Sequence, residues 1–296
     1  MHLDYAQIAA LTAILKSGSF EGAAHELGIT QSAISQRLKA LEEQVGTLLV
    51  HRGQPCVGTD AGRRLAAHMD HVGLLEGQLS RDLKGLIPKP NMRIRIAVTA
   101  DSLATWFLPA LAGIPEMLFD LVVDDQDFSA DWLRKGEVSA AITAHAKPVA
   151  GCDSVPLGDM RYQATASPAY VARHFPNGPT PEAIAQAPML RFDQKDDLQA
   201  QWMRAHIGPK LSPPSHRLPS SQGFVDACLL GLGWGMNPDL LVRDHIAAGR
   251  LVPLLPNSAY PMPLHLQSTR MLRGALAPFT RAVRRAAQVA LPQISS

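Results

Sequence analysis

Residues 20–42 read FEGAAHELGITQSAISQRLKALE, two short helical patterns separated by a glycine-containing turn. Ser19 is placed to cap the first helix and Thr30 the second, because Ser and Thr side chains accept hydrogen bonds from the free N–H groups of a first turn. Ala23 and Ala24 are small enough to let the two helices approach each other closely. Two short helices joined in this way predict a helix-turn-helix.

The second of these helices carries a polar face that is suited to DNA. Its hydroxyl, amide and cationic side chains can bind base edges and phosphates in a major groove. Residues 48–58 then predict two short strands around a Gly-Gln-Pro turn, a wing whose Arg52 suits a phosphate or a narrow minor groove. A polar helix face alone is more often only solvated, but here the caps, the turn and the wing follow in the order of a DNA-binding unit. The candidate DNA contacts are Thr30, Gln31, Ser32, Ser35, Gln36, Arg37, Lys39 and Arg52.

Apolar spacing predicts one further helix on each side of this unit. Before it, Ile8, Leu11 and Ile14 recur at helical spacing, and Gly18 ends the pattern. After it, residues 59–87 predict one long helix whose apolar side chains recur at spacings of three and four, as in a coiled-coil seam. We expect this seam to form a homodimer; the alternative is that the helix packs only on its own chain. The seam residues are Leu65, Met69, Val72, Leu75 or Glu76, Leu79, Leu83 and Leu86.

Composition places the chain among soluble proteins of two or three domains, with 296 residues, 46% hydrophobic and 18% charged. There is no apolar run near the roughly 20 residues of a membrane helix and no signal-peptide pattern, so we expect a cytoplasmic protein. Cys56, Cys152 and Cys228 lie far apart, which predicts free thiols rather than disulfides or a zinc site. Residues 1–90 carry nine Lys/Arg and nine Asp/Glu, so DNA binding has to rest on where the cations lie.

The second half of the chain predicts an α/β sheet domain. Two prolines within residues 87–91 indicate a stiff linker, and from Met92 onward short apolar strands alternate with helical segments. Ligands of such sheets bind beyond the carboxyl ends of the strands. The polar residues near such strand ends, or in segments that resemble them, are the candidate effector contacts: Thr99, Asp101, Ser102, Asp124, Asp125, Thr143, Asp193 and Ser221.

The run of residues 20–42 resembles the signature of LysR-type transcriptional regulators nearly position for position. The resemblance implies a regulator that binds a pseudo-palindromic site on double-stranded DNA as a homodimer or tetramer and works with RNA polymerase. It also implies an effector domain of two Rossmann-like lobes, similar to periplasmic binding proteins. The implied ranges are 1–58 for the winged helix-turn-helix, 59–90 for the linker and dimerisation helix, and 91–296 for the effector domain, with lobe one at 92–160 and 268–296 and lobe two at 161–267.

Residues 100–111, ADSLATWFLPAL, resemble the lysine- and arginine-responsive branch of that family, the ArgP/LysG-like regulators. Residues 175–178 and 192–197 are similar to the same branch. This resemblance implies a basic amino acid as the effector and a basic amino-acid exporter gene as the target. Gln126 and Gly223 stand where acidic residues are expected in close relatives, which leaves lysine, arginine and another amino acid open.

The chemistry of the candidate residues agrees with a basic amino acid. Ser102 and the neighbouring backbone N–H groups are expected to bind the effector carboxylate, while carboxylates attract its cationic groups. Asp124 or Asp125, together with Asp193, would face those cations. Asp101 binds the amino group or only caps its helix, and Thr143 and Ser221 would line the cleft.

Three other interpretations compete with a regulator that senses a basic amino acid. An enzyme is not supported, because the sequence has no GxSxG, HExxH or phosphate-loop motif, and neither a cofactor nor a metal is expected. His68 and His71 stand at helical spacing but more simply lie on the solvated side of the long helix. A DNA-binding protein that acts without an effector, as an architectural or origin-blocking protein, remains an alternative. So does a LysR-type regulator with another effector, although carboxylates in the cleft disfavour an anion without an amine.

Overall fold

The computed structural model describes residues 3–82, 92–124 and 129–292, and it has the predicted three parts. A small helical domain with a wing is followed by one long helix and a two-lobed α/β domain, which confirms the fold class. No helix within the described ranges is both long and apolar enough to span a membrane. The first part and the long helix contain α1 (Tyr5–Ser17), α2 (Phe20–Leu27), α3 (Gln31–Val45), β1 (Val50–His51), β2 (Val57–Gly58) and α4 (Asp60–Asp82).

The predicted caps define the helix-turn-helix. Ser19 Oγ accepts from Gly22 N at 3.0 Å, and Thr30 Oγ1 accepts from Ala33 N at 3.2 Å. Gly18 has a φ of +71° at the end of α1, a left-handed conformation that glycine adopts without steric cost. The three helices enclose a core of fully buried apolar residues: Ile8, Ala10, Leu11, Ile14, Ala23, Ile34 and Leu41.

The wing and the long helix are joined by a close backbone approach. β1 and β2 pair antiparallel, and Thr59 caps α4 by accepting from Gly62 N at 3.1 Å. A Cβ at position 62 would lie 2.0 Å from Leu49 O, so only glycine fits there. The first turn of α4 is therefore held against the strand that starts the wing.

The apolar side of α4 is shared between several surfaces. Leu65 and Met69 pack on the core of the helix-turn-helix, because the start of α4 lies beside α1. Leu74 is fully buried in the core of the α/β domain. Leu75 and Leu79 are 40% and 52% exposed. Val72 is half-buried, Glu76 is exposed, and Leu83 and Leu86 of the predicted seam lie outside the described residues.

The α/β domain is built on one large sheet, whose strands are β3 (Met92–Val98), β4 (Met117–Val123), β5 (Ala140–Thr143), β6 (Cys152–Ala166), β9 (Gly235–Pro238), β10 (Val252–Pro253) and β11 (Tyr260–Thr269), while β7 (Met189–Arg191) pairs separately with β8 (Ser215–Arg217). The strand order of the large sheet is β10-β6-β11-β5-β3-β4, with β9 also paired to β6. Strand β3 lies parallel to β4 and β5, whereas β11 runs antiparallel to β5 and β6.

The long strands β6 and β11 connect the two lobes. Met160, in the middle of β6, pairs with Met262, and Gln267 pairs with Ala141 inside the sheet of the first lobe. The last helix returns to the first lobe, where Phe279 meets Phe107 edge to face. The remaining helices are α5 (Ala100–Ser102), α6 (Leu108–Ala112), α7 (Ser129–Arg134), α8 (Pro168–His174), α9 (Pro181–Gln186), α10 (Leu198–His206), α11 (Ser221–Leu229), α12 (Asp239–Ala247) and α13 (Ala277–Ala290).

The helical segment after β3 contains a proline. Helical structure begins at Ala100 and continues to Ala112, with Pro109 inside it. A π-helical turn, Leu103–Phe107, precedes the proline. Because proline lacks an N–H and its ring collides with the carbonyl four residues earlier, a wider turn lets the helix continue past it.

Candidate DNA interface and effector pocket

The exposed face of α3 presents most of the candidate DNA contacts to solvent. Thr30, Gln31, Ser32, Gln36 and Lys39 are exposed, while Ser35 and Arg37 are half-buried. The Thr30 hydroxyl already caps the helix, so a further contact from it would use its remaining bonding capacity. The Lys39 ammonium lies 3.6 Å from the carboxylate of Glu43, one turn further along α3, and both side chains are open to water.

Arg52 projects from the wing beside the helix-turn-helix. Its side chain is exposed, and its guanidinium lies 5.3 Å from the centre of the Phe20 ring at the start of α2. A cation–π contact of this kind holds the guanidinium near the helices while its N–H groups stay available. The structure therefore brings one cation of the wing near the N-terminal end of α2.

A pocket opens between the two lobes at the carboxyl ends of β3 and β4. These strands are parallel neighbours, so the residues that follow them meet at one edge of the sheet. The pocket has an empty volume of about 550 Å³, open mouth included. Its wall contains four of the predicted effector contacts, Thr99, Asp101, Asp124 and Ser221. The other lining residues are Ala100, Tyr162, Phe192, Asp196, Leu198, Gln199, Phe224, Met236 and Pro238.

Asp101 supplies the pocket with a carboxyl group whose pKa is raised by burial. Burial raises the pKa of Asp101, the neighbouring hydroxyls of Ser221 and Tyr162 partly offset this, and the negative charge of Asp196 raises it further. Tyr162 Oη donates to Asp101 Oδ2 at 2.7 Å across the two lobes. Ser221 Oγ lies close enough to lower that pKa but completes no hydrogen bond of good geometry with a described residue. A cation next to Asp101 would favour its ionised form.

Asp124 is the other carboxylate that the first lobe contributes to the pocket wall, at the end of β4. Trp132 Nε1 donates to its Oδ2 at 2.9 Å. Lys195 of the second lobe places its Nζ 3.8 Å from Oδ1 of the same carboxylate. Asp124 is only 23% exposed, so its charge is partly shielded from water and is available to positively charged groups inside the cleft.

The loop after β7 is organised by its own carboxylates. Asp193 Oδ1 accepts from the backbone N–H groups of Lys195 and Asp196, at 2.7 and 3.0 Å. Asp196 in turn accepts from Phe192 N at 2.8 Å and Leu198 N at 3.1 Å. This pattern points Asp193 into its own turn, while Asp196 reaches the wall of the pocket.

Three other predicted effector contacts are not part of the pocket wall. Ser102 is fully buried and accepts from Thr99 Oγ1 at 2.8 Å. Thr143 is fully buried at the end of β5, where its Oγ1 accepts from His145 N at 3.2 Å. Asp193 closes the turn described above, and Asp125 lies outside the described residues.

Tyr162, Asp196 and Gln199 line the pocket but were not predicted. Tyr162 lies within the long strand β6. The alternation of side chains along a strand does not by itself show which of them face the other lobe. Gln199 is 2% exposed at the start of α10, and its Oε1 has no hydrogen-bond partner among the described residues. A buried acceptor of this kind costs free energy until a donor meets it. For Asp196 a signal existed, since it belongs to the acidic run that begins at Asp193.

Groups that would indicate other chemistry are not found among the described residues. No three His, Cys, Asp or Glu side chains come together there as metal ligands would. Cys56, Cys152 and Cys228 are free and buried. Cys228 Sγ contacts Thr165 O and the Asn237 amide, and burial raises its pKa to about 12, so it is a thiol rather than a thiolate.

Known proteins match the chain over nearly its whole length. Residues 5–63 match the bacterial regulatory helix-turn-helix protein model of the lysR family, and residues 89–288 match the LysR substrate binding domain. The HTH-type transcriptional regulator ArgP of Aeromonas salmonicida is 44% identical over 278 residues, which is 92% of each chain.

Two solved structures give the same assignment. ArgP from Mycobacterium tuberculosis is 39% identical with a TM-score of 0.81, covering 99% of this chain and 100% of that one. Full-length LysG from Corynebacterium glutamicum, solved with bound effector Arg, is 35% identical with a TM-score of 0.68, covering 98% and 100%. These relatives are transcriptional regulators and not enzymes. The chain therefore belongs to the LysR family of DNA-binding transcriptional regulators, and it is similar over nearly its whole length to ArgP and LysG proteins of that family.

Proposed function

We propose that this regulator senses a basic amino acid, L-lysine or L-arginine, in the pocket between its lobes and controls a gene for a basic amino-acid exporter. The observation that carries the proposal is the excess of hydrogen-bond acceptors in the pocket. Asp101, Asp124 and Asp196 supply carboxylates, and Gln199 adds a buried amide oxygen that accepts from none of the described residues. Such a set suits a ligand that brings several N–H donors and positive charge.

An amino acid fits the pocket in one orientation better than in the reverse one. The Asp101 carboxylate and the Ser221 hydroxyl are neighbours, as are the α-amino and α-carboxylate groups of an amino acid. We place the amino group on Asp101 and the carboxylate at Ser221, where the N-terminus of α11 also favours negative charge. The aliphatic stem then passes Phe192, Phe224 and other apolar wall residues, and the side-chain cation meets Asp124.

This assignment modifies the expected roles of three residues. Ser102 and Thr143 stabilise the loops behind the pocket, and Asp193 holds the turn that presents Asp196. Binding of arginine by the LysG protein of Corynebacterium glutamicum supports the effector class. The choice between lysine and arginine depends on how deeply the cation reaches towards Asp124 and Asp196.

The DNA-binding half supports recognition of a pseudo-palindromic operator by a dimer. The α3 face would enter the major groove of each half-site and Arg52 would contact the backbone or minor groove nearby. Leu75 and Leu79 leave an exposed apolar strip on α4 for the second copy. We further propose contact with RNA polymerase at the promoter, and assembly of two such dimers into a tetramer.

Effector binding would act by shifting an equilibrium between arrangements of the lobes. The pocket walls come from both lobes, so a ligand that bridges Asp101 and Ser221 stabilises the arrangement in which those walls are close. The linker helix transmits that change, because Leu74 is buried in the α/β core and Arg63 Nε donates to the buried Glu137 at 3.2 Å. The change in DNA affinity that the effector causes equals the change in effector affinity that DNA causes, and it cannot exceed the difference in effector affinity between the two arrangements.

Isothermal titration calorimetry of the full chain with L-arginine, L-lysine and L-norleucine tests the effector class. Binding of either basic amino acid together with failure of norleucine, which has the same stem without the cation, would support the proposal. Equal binding of norleucine would assign the pocket to amino acids in general. If none of the three binds, an effector-independent DNA-binding protein or a regulator of different effector becomes the better interpretation.

A further inference from the structure

Lys195 reaches from the second lobe to Asp124, which the first lobe contributes to the pocket wall. Its Nζ lies 3.8 Å from Asp124 Oδ1, and its side chain is 49% exposed whereas that of Asp124 is 23% exposed. Asp124 comes from the end of β4 and Lys195 from the loop after β7. The ion pair therefore joins the two walls that an effector has to bridge.

The backbone that carries Lys195 is held in place by several hydrogen bonds. Asp193 Oδ1 accepts from Lys195 N at 2.7 Å, and Arg191 Nη2 donates to the carbonyl oxygens of Gln194 and Asp196 at 3.2 and 2.5 Å. Only the flexible side chain of Lys195 remains to be ordered when it reaches Asp124. A turn fixed in this way keeps the ammonium close to the carboxylate at high effective concentration.

We infer that Lys195 is a built-in competitor of the effector, whose ammonium occupies on Asp124 the place of the effector's side-chain cation. This inference rests on the proposed function and adds a residue that sets how much effector is needed. A lysine or arginine that enters the pocket has to displace the Lys195 ammonium from Asp124, and the displaced ammonium moves into water. A neutral side chain gains at most a hydrogen bond from Asp124, so removal of Lys195 changes its binding much less.

The size of the effect follows from the exposure of the pair. Partly exposed ion pairs are weak, and removing the competing cation should tighten binding of arginine by about two- to fivefold. The same change should alter the affinity for L-citrulline much less, because citrulline has nearly the shape of arginine but meets Asp124 with neutral N–H donors. Lys195→Arg retains a competing cation and should leave the arginine affinity close to that of the unaltered chain.

The test compares Lys195→Gln, Lys195→Arg and Lys210→Gln in the full chain by calorimetric titration with L-arginine and L-citrulline. Lys210 is an exposed lysine of the same lobe outside the pocket wall, so its replacement makes the same change in net charge. Tighter arginine binding by Lys195→Gln alone, with a much smaller change for citrulline, is the expected result. Thermal melting of each variant verifies that the fold is retained.

Other results would overturn the inference in distinguishable ways. Arginine binding that is unchanged or weaker in Lys195→Gln would show that Lys195 does not compete, and a parallel loss with citrulline would make it a ligand of the effector carboxylate. An equal gain in Lys210→Gln would reduce the effect to net charge. If the unaltered chain binds neither lysine nor arginine, the proposed function fails first, and this role for Lys195 fails with it.

Discussion

Replacement of Asp101 by Asn should separate effector binding from stability. The substitution keeps the shape of the side chain and an oxygen that can accept from Tyr162 Oη, which lies 2.7 Å from Asp101 Oδ2 in the unaltered chain. It removes only the negative charge. A hydrogen bond to a charged group contributes about 1.5–3 kcal/mol, so the loss should weaken lysine or arginine binding by roughly 10- to 150-fold. Burial raises the pKa of Asp101, so its charge is costly in the empty pocket, and the variant should unfold no more easily than the unaltered chain.

The same reasoning predicts how binding depends on pH. The pKa of Asp101 lies above its usual value in the empty pocket, and a cationic ligand favours the ionised form. Effector affinity should therefore fall as pH decreases through that raised pKa, with proton release on binding where the carboxyl is still protonated. In Asp101→Asn this pH dependence should disappear.

Calorimetry in buffers of different ionisation enthalpy and thermal melting measure both effects. Tyr162→Phe is the matched control, because it removes only the hydroxyl that donates to Asp101 and should weaken binding much less. Effector affinity that is unchanged in Asp101→Asn would refute the placement of the amino group on this carboxylate. A large loss of stability would refute the argument from burial.

Three further predictions concern other parts of the chain. Gln36→Ala should weaken operator binding by about 1–3 kcal/mol if the exposed amide reads a base, and equal loss on random DNA in an anisotropy assay would reduce its role to phosphate contact. Asp70→Asn should stabilise the chain by about 1–2 kcal/mol above pH 6 in urea denaturation. Burial on α4, only partly offset by Arg93, raises the pKa of Asp70 to about 6, so the folded state binds this proton more tightly than the unfolded state and loses stability as the pH rises from about 4 to 6. An equally large gain at pH 3.5 would contradict this cause. Leu74→Ala should lower the free energy of unfolding by about 2–5 kcal/mol in the same assay, since this α4 side chain is fully buried. Leu79 is 52% exposed, so Leu79→Ala should act mainly on dimer dissociation, measured by sedimentation. Equal destabilisation by both substitutions would contradict the orientation of α4.

Local chemistry explains which parts of the fold were predictable. Ser19 and Thr30 cap the helices that they were expected to cap, because a cap depends on residues within three positions of it. Thr99 and Asp124 reached the pocket for a similarly simple reason, since the ends of parallel neighbouring strands meet at one edge. These inferences needed no knowledge of how distant segments pack.

The remaining site residues depended on tertiary structure. Tyr162 reaches Asp101 only because β6 crosses between the lobes, and its sequence position shows nothing of that crossing. Asp193 and Asp196 were equivalent in sequence until the hydrogen bonds of their turn assigned one to the backbone and the other to the pocket. On α4, helical periodicity marked apolar positions such as Leu65 correctly but did not reveal that its own helix-turn-helix covers it.

The central claim, that the chain is a DNA-binding regulator whose operator complex responds to a basic amino acid, is tested most directly by fluorescence anisotropy. The full chain is titrated onto labelled DNA from upstream of its own gene at fixed salt, and L-lysine and L-arginine are then added, with L-norleucine as the uncharged control. The account predicts tight, sequence-specific binding that lysine or arginine alters and norleucine does not. Specific binding that neither basic amino acid changes would contradict the effector assignment, and failure to bind any specific DNA, after selection from a genomic library as well, would contradict the claim as a whole.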